Sequence, residues 1–288
     1  MIPFLHFGPI SIPTYGLMVA TGLMVAAYIL QANINRNRAQ LMKRGYLNVG
    51  DEKTRGDEAF LIIGIAGITG LVGSRIYSAL ESPRELIEHP AILLSRFGFT
   101  WSGAAIPGLI VLGLMARHFR VPVMDFLDLC LPSGALGYGI GRIGCLLSGD
   151  GDYGIPTKLP WGMSFPNGLV PTTETCVQQG WPADCHVHPT PIYEFIGAAL
   201  IAAYLWHLGT RALRGQRISG EIVWNYLILT GIARFLVEFI RLNPRVLWGL
   251  TNAQLVSLGS ILLGLVLMWR IKSKIRAVHA DSRALKAS

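Results

Sequence analysis

The segment RFLVEFIR places Arg234, Glu238 and Arg241 at i, i+4 and i+7, a spacing that stacks all three on one helix face. Glu238 can neutralise one of these arginines but not both. Either a further acid, Asp150 or Glu194, balances the remaining charge as a structural ion pair, or an anionic ligand does. The ligand is the favoured reading, because the planar fork of arginine donates two parallel hydrogen bonds to phosphate. A third arginine, Arg142, stands in GALGYGIGRIGCLLSGDGDYG, where five glycines from Gly134 to Gly144 precede Asp150 and Asp152. Glycine at that density permits close helix packing or an unwound turn. HPTPIYEF adds His188, Tyr193 and Glu194, and histidine can act as a general base near neutral pH.

These charges lie inside or beside long apolar runs. The chain has 288 residues, of which 51% are hydrophobic and 15% charged, against about a quarter charged in an ordinary soluble domain. Seven runs, at 12–30, 59–80, 101–116, 123–147, 191–208, 221–240 and 253–271, approach the ~20 residues needed to cross a bilayer. The fold expected is therefore all-α: a polytopic membrane protein of about seven transmembrane helices. One transmembrane domain covers 1–271 with a loop at 148–189, and a basic tail follows at 272–288, ending in a disordered stretch. An arginine at a helix centre costs about 2.5–3.5 kcal/mol on insertion scales, so Arg75, Arg142, Arg234 and Arg241 each require a reason. Snorkelling to the head groups can account for Arg75 and Arg241.

Lysine and arginine fix an orientation. The connections after the first, third and fifth runs, with the tail, hold 17 of these residues, and the alternate connections hold four. Positive-inside bias then puts the N-terminus outside and the C-terminus in the cytoplasm. The first 14 residues show no cleavable signal pattern, so the first run is expected to stay as a helix. The 148–189 loop falls on the outer side and holds Cys176 and Cys185. In an oxidising compartment these either form a disulfide or remain two free thiols, and the disulfide is favoured.

The net charge of +8 is accounted for by cytoplasmic loops, and no basic stripe with interleaved aromatics suggests nucleic acid. Cys185, His186 and His188 match no zinc spacing. Asp-Gly-Asp is too short for a calcium loop. No phosphate-binding loop, dinucleotide fingerprint or nucleophile elbow is present. No metal or cofactor is expected.

Taken in order, the motifs resemble the bacterial prolipoprotein diacylglyceryl transferases over nearly the whole chain. The matching elements are Tyr15-Gly16-Leu17, Gly73-Ser74-Arg75-Ile76, Gly141-Arg142-Ile143-Gly144 running on to Gly149-Asp150, His188-Pro189 with Tyr193-Glu194, Arg234 with Glu238 and Arg241, and Gln254. Each is weak alone; their order and spacing together are specific. Cys145 and Ser148 stand where the family has asparagines, Asp150 where it has a glutamate, and Ser102 where it has a histidine proposed as base. Thr230 replaces a tyrosine found in some members.

The resemblance implies transfer of a diacylglyceryl group from phosphatidylglycerol to the lipobox cysteine of a prolipoprotein in the bacterial inner membrane, with release of glycerol phosphate. It implies that Arg142 and Arg234 clamp the phosphate while Glu238 and Asp150 hold those arginines. Tyr15, Ser102, Glu194, Arg241 and Gln254 join the substrate-binding set. With Ser102 unable to act as a base, His188 and then Asp150 are the candidates to activate the thiol. The departures leave two alternatives: a related enzyme with another lipid donor or acceptor, and a catalytically silent phospholipid-binding or transport protein.

Overall fold

The chain opens with an antiparallel hairpin, β1 (Phe4–Phe7) and β2 (Ile10–Pro13), in which Phe4 faces Pro13. The computed structural model describes residues 2–44, 58–81, 101–213 and 218–287. The hairpin delays the first helix: α1 spans Thr14–Lys43, starting two residues later than the apolar run at 12–30. The Thr14 backbone N–H and hydroxyl both donate to the Pro3 carbonyl, at 2.9 and 3.0 Å. These bonds satisfy part of the open helix terminus.

Six further long helices follow. They are α2 (Glu58–Glu81), α3 (Trp101–His118), α4 (Val123–Ser148), α6 (Thr190–Leu213), α7 (Glu221–Val237) and α8 (Asn252–Ala287). A short α5 (Thr172–Gln178) lies between α4 and α6. The tail expected to be disordered continues α8 as helix to Ala287. Among the described residues, five helices are long and apolar enough to cross a membrane: α1, α2, α6, α7 and α8. Their outer faces carry exposed Met24, Ile68, Leu200, Leu236 and Leu262, a surface that suits lipid rather than water.

Helix α4 is the centre of the bundle. It packs between α1 and α6 and also touches α3 and α7. Its glycines set the spacing. A Cβ on Gly22 of α1 would lie 2.7 Å from the Gly137 carbonyl oxygen of α4, so the two backbones meet where only glycine fits. At the far end from the arginines, Asp128 of α4 accepts the N–H groups of Gly220 at 2.8 Å and Val223 at 2.9 Å. A buried carboxylate thus caps α7, whose first turn is otherwise short of acceptors.

Helix α4 stops at Gly149, which adopts φ 60° and returns its N–H to the Cys145 carbonyl. This is a left-handed C-cap. The segment from Gly149 to Pro189 builds a small satellite core from Tyr153, Phe165, Cys176, Cys185 and Val187. Strands β3 (Pro156–Thr157) and β4 (His186–Val187) pair within it. Cys176 and Cys185 are joined as a disulfide. Between α7 and α8, a 3-10 turn (Glu238–Ile240) leads to a hairpin of β5 (Arg245–Leu247) and β6 (Leu250–Thr251). That hairpin had no counterpart in the sequence reading.

Candidate active site

Three arginines meet where α4, α6 and α7 end beside the satellite core. Arg142 comes from the last turns of α4, Arg234 from the last turn of α7, and Arg241 from just beyond the 3-10 turn. The change from α-helix to 3-10 helix after Val237 alters the registry that the i, i+4, i+7 pattern assumed. Even so, Glu238 meets both neighbours. Its Oε2 lies 2.9 Å from Nη2 of Arg234 and 3.8 Å from Nε of Arg241.

Glu194, in the second turn of α6, is the hub. Its Oε1 accepts from Nη1 of Arg234 at 2.7 Å, and its Oε2 accepts from Nη2 of Arg142 and faces Nη1 of Arg241 at 3.4 Å. The Tyr138 hydroxyl adds a donor 3.2 Å from Oε1. Asp152 closes the ring by pairing with both Arg142 and Arg241. Three arginines thus face three carboxylates, Asp152, Glu194 and Glu238, at this site. Glu194 alone of the three pairs with every arginine.

The acid expected to hold Arg142 was Asp150, yet the ion pair falls to Asp152. The backbone explains this. Gly149 and Gly151 both take positive φ, 60° and 91°, and Oδ1 of Asp150 accepts the Asp152 N–H at 3.2 Å. This Asx turn uses Asp150 locally and swings Asp152 toward the arginines. Burial, and then the Asp152 charge, raise the Asp150 carboxyl above its usual pKa. Burial alone would raise Asp152 as well. The charges of Arg142 and Arg241, with hydrogen bonds from both, outweigh burial and hold it at about 2.

Glu238 is oriented from behind. Its Oε1 accepts from Nδ2 of Asn243 at 2.6 Å and from Oγ1 of Thr251 at 2.8 Å. Thr251 is also the N-cap of α8. Its Oγ1 accepts the Gln254 N–H at 3.2 Å, while Oε1 of Gln254 accepts the Thr251 N–H at 3.1 Å. This reciprocal pair is a capping box. It gives Gln254, placed in the substrate set by resemblance, a structural task. Its buried Nε2 finds no hydrogen-bond partner among the described residues.

Tyr15, at the start of α1, passes its backbone beside Gly144 and lies within electrostatic range of Arg142, Cys145 and Asp150. His188 lies at the edge. Its Nδ1 meets the Tyr193 hydroxyl at 3.2 Å, which in turn accepts from Nε1 of Trp161 at 2.8 Å. Burial lowers its pKa, so the imidazole is neutral at pH 7. Ser102 falls in the first turn of α3, and its side chain lies outside the described residues. Sγ of Cys145 and the carboxylates of Asp150 and Asp152 lie within 4.8 Å of one another. Arg142 already supplies a cation there, with Nη1 3.4 Å from that sulfur. Sequence reasoning missed Tyr138, Asn243 and Thr251. Only the Thr-x-x-Gln spacing of the capping box carried a signal.

The bundle defines a mostly helical membrane protein with three arginines gathered at its charged centre. A family model described as prolipoprotein diacylglyceryl transferase matches residues 3–270, and the chain belongs to that family. A phosphatidylglycerol–prolipoprotein diacylglyceryl transferase of Clostridium tetani is 34% identical over 87% of this chain and 90% of its own length. The protein of that name from Trichormus variabilis is 31% identical over 92% of this chain and 87% of its own. One from Geobacter sulfurreducens is 29% identical over 92% of each.

Proposed function

We propose that this protein transfers the diacylglyceryl group of phosphatidylglycerol to the lipobox cysteine thiol of a prolipoprotein. The observation that carries the reading is the convergence of Arg142, Arg234 and Arg241 on one carboxylate, that of Glu194, inside a chain of this family. Guanidinium groups that converge on a carboxylate can converge equally on a phosphate. Relatives across the family bear the name of this reaction.

The thiol attacks carbon, and the C–O bond to phosphate breaks, so negative charge grows on the departing oxygen. Preorganised cations at that point stabilise the transition state more than the ground state. Arg142 and Arg234 grip the phosphate in this reading, Arg241 adds charge behind them, and Glu238 steadies Arg234. Tyr15, Ser102 and Gln254 complete the lipid-binding surface. Phosphate is a competent leaving group, so no cofactor is invoked. The thiol needs a proton acceptor, because at pKa near 8.5 only a few per cent is ionised at neutral pH. His188 and Asp150 are the two that the sequence offers.

The seven long helices serve as seven spans in this proposal, with the N-terminus outside and residues 272–288 as a cytoplasmic basic tail. The site then opens at the outer face of the inner membrane, where precursor signal peptides emerge. Helix α4 is left out of the five apolar spans above, and Asp125, Asp128 and Arg142 are the charges within it. Its packing at the bundle centre shields it from lipid.

The test is direct. Purified protein in vesicles of phosphatidylglycerol receives a lipobox peptide, and mass spectrometry reads a diacylglyceryl increment on the cysteine. Arg142→Ala abolishes that increment; an Arg142→Ala protein with wild-type activity sinks the clamp. One observation favours a second reading. Cys145 touches Arg142 where the motif resemblance expects an asparagine, so another lipid donor or acceptor is the alternative. An increment from a different lipid or on a different acceptor would select it. Binding of phosphatidylglycerol without any product would mark a silent lipid-binding protein.

A further inference from the structure

We propose that Glu194 is the proton acceptor for the substrate thiol, released for that task when the phosphate of the lipid takes its place among the arginines. The inference rests on the transferase reading above and concerns a step which that reading leaves open.

The argument starts from charge. Among the described residues Arg142, Arg234 and Arg241 are each paired with a carboxylate, and Asp150 adds a further acid within electrostatic range of Arg142, so a phosphodiester must displace an anion to bind them. Arg142 and Arg234 both point at Glu194. A phosphate held by both must occupy the space that this carboxylate fills. Two anions cannot share it, so one carboxylate steps aside.

The surroundings say which. Glu238 is pinned by Asn243 and Thr251 on one oxygen. The Asp152 backbone is set by its turn, and its carboxylate keeps Arg241, which a clamp of Arg142 and Arg234 leaves in place. Among the described residues Glu194 has one non-arginine donor, the Tyr138 hydroxyl, and its shorter cation contacts, to Arg142 and Arg234, are the ones that the phosphate would claim. It also stands near the start of α6, in its second turn, and a rotamer change there moves no backbone. A carboxylate displaced from Arg142 and Arg234 has both oxygens free to accept a hydrogen bond from the thiol. It remains one side-chain length from the arginines, so the proton acceptor and the leaving group are adjacent.

The step balances. The S–H proton passes to the Glu194 carboxylate, and the sulfur electron pair forms the new S–C bond to the glyceryl carbon. The C–O bond breaks, and its electron pair leaves with the phosphate oxygen. The phosphodiester monoanion becomes a phosphomonoester dianion as Glu194 changes from anion to neutral acid, so the net charge of the site is constant. The protonated Glu194 then returns its proton to the departing glycerol phosphate or to water, and re-forms the arginine hub.

The test uses the full-length protein in detergent micelles, with dioctanoyl phosphatidylglycerol for equilibrium binding and lipobox peptide for turnover. Glu194→Gln removes the competing anion and the base together. Its turnover falls at least about 100-fold, the range for loss of a general base, while its affinity for the lipid rises. A merely structural Glu194 predicts weaker lipid binding in step with the lost rate, and that result overturns the proposal. Unchanged turnover overturns it too. If Glu194→Gln does not melt cooperatively, Glu194→Asp keeps the charge and withdraws it by one methylene. Its turnover then falls about tenfold or more, because proton transfer depends on hydrogen-bond reach, with lipid affinity held. A wild-type rate, or lost affinity, in that variant overturns the proposal. Wild-type protein run alongside separates the two readings: no lipidated peptide from it defeats the reaction and this step together, whereas an active wild type with an equally active Glu194→Gln defeats this step alone.

Discussion

The Thr251 hydroxyl donates to Oε1 of Glu238 at 2.8 Å, joining the first residue before α8 to the carboxylate that holds Arg234. The contact is buried at both ends. It couples a helix cap to the charge geometry of the site. Thr251→Val keeps the shape and removes both the N-cap acceptor and the donor to Glu238. A lost cap costs about 1 kcal/mol, and an under-satisfied buried carboxylate about 1–3 kcal/mol more. We expect a lower melting temperature and slower peptide lipidation, with Thr251→Ser restoring both. A Thr251→Val protein that melts and turns over like wild type would show that Asn243 alone suffices to orient Glu238.

Asp152 ties stability to pH. Its folded pKa lies at about 2, below the ordinary aspartate value of 3.8. A depressed folded pKa contributes stability that is present above the unfolded value and lost as pH falls through the folded one. Asp152→Asn should therefore lower stability at pH 7 by about 2 kcal/mol, following the conversion of pKa shift to free energy. The gap to wild type narrows from pH 4 toward pH 2. Melting curves in detergent at pH 7, 4 and 2.5 give the comparison; a gap that stays constant across them would rule out the ion pairs as its source.

Much of this arrangement was legible in the sequence, because burial and helix period leave direct marks. Each apolar run falls on a helix among the described residues, five of them long and apolar enough to cross a membrane, and the Arg234–Glu238 pair at i, i+4 formed as spaced. Where the reading failed, a backbone event had no marker in hydropathy. The start of α1 moved because Ile10–Pro13 pairs as a strand. The tail became helix because alanine and charged residues favour helix, which a disorder reading by composition overlooks. Which aspartate meets Arg142 depended on two positive-φ glycines, and Gly-Asp-Gly-Asp reads the same whichever side chain turns inward. Glu194 was named as a possible partner, but its contact with all three arginines is a tertiary fact that spacing cannot carry.

The disulfide between Cys176 and Cys185 should hold the satellite core that carries Asp152 and His188. It closes a loop with a sequence separation of 9, and cross-links of this kind typically contribute about 2–4 kcal/mol. Replacing both cysteines by alanine is expected to raise amide hydrogen exchange across 149–189 while leaving exchange in α1 and α4 as it was. Lipid affinity should fall less than turnover, since Arg142 and Arg234 stand on the helices and not on this segment. Exchange that stays protected throughout would mean that Tyr153, Phe165 and Val187 suffice without the cross-link.

His188 offers the sharpest contrast with Glu194. Its ring nitrogen meets Tyr193, and the chain of contacts continues to Trp161 rather than to the arginines. Burial lowers its pKa, so its charge changes only below its ordinary value. His188→Gln should therefore keep the neutral-range limb of the pH–rate profile and lose only a few-fold in rate through loosened packing of Tyr193. Measuring kcat from pH 5 to 9 for His188→Gln beside wild type decides the matter. Loss of the neutral limb would assign the proton to His188 and return Glu194 to a purely positioning part.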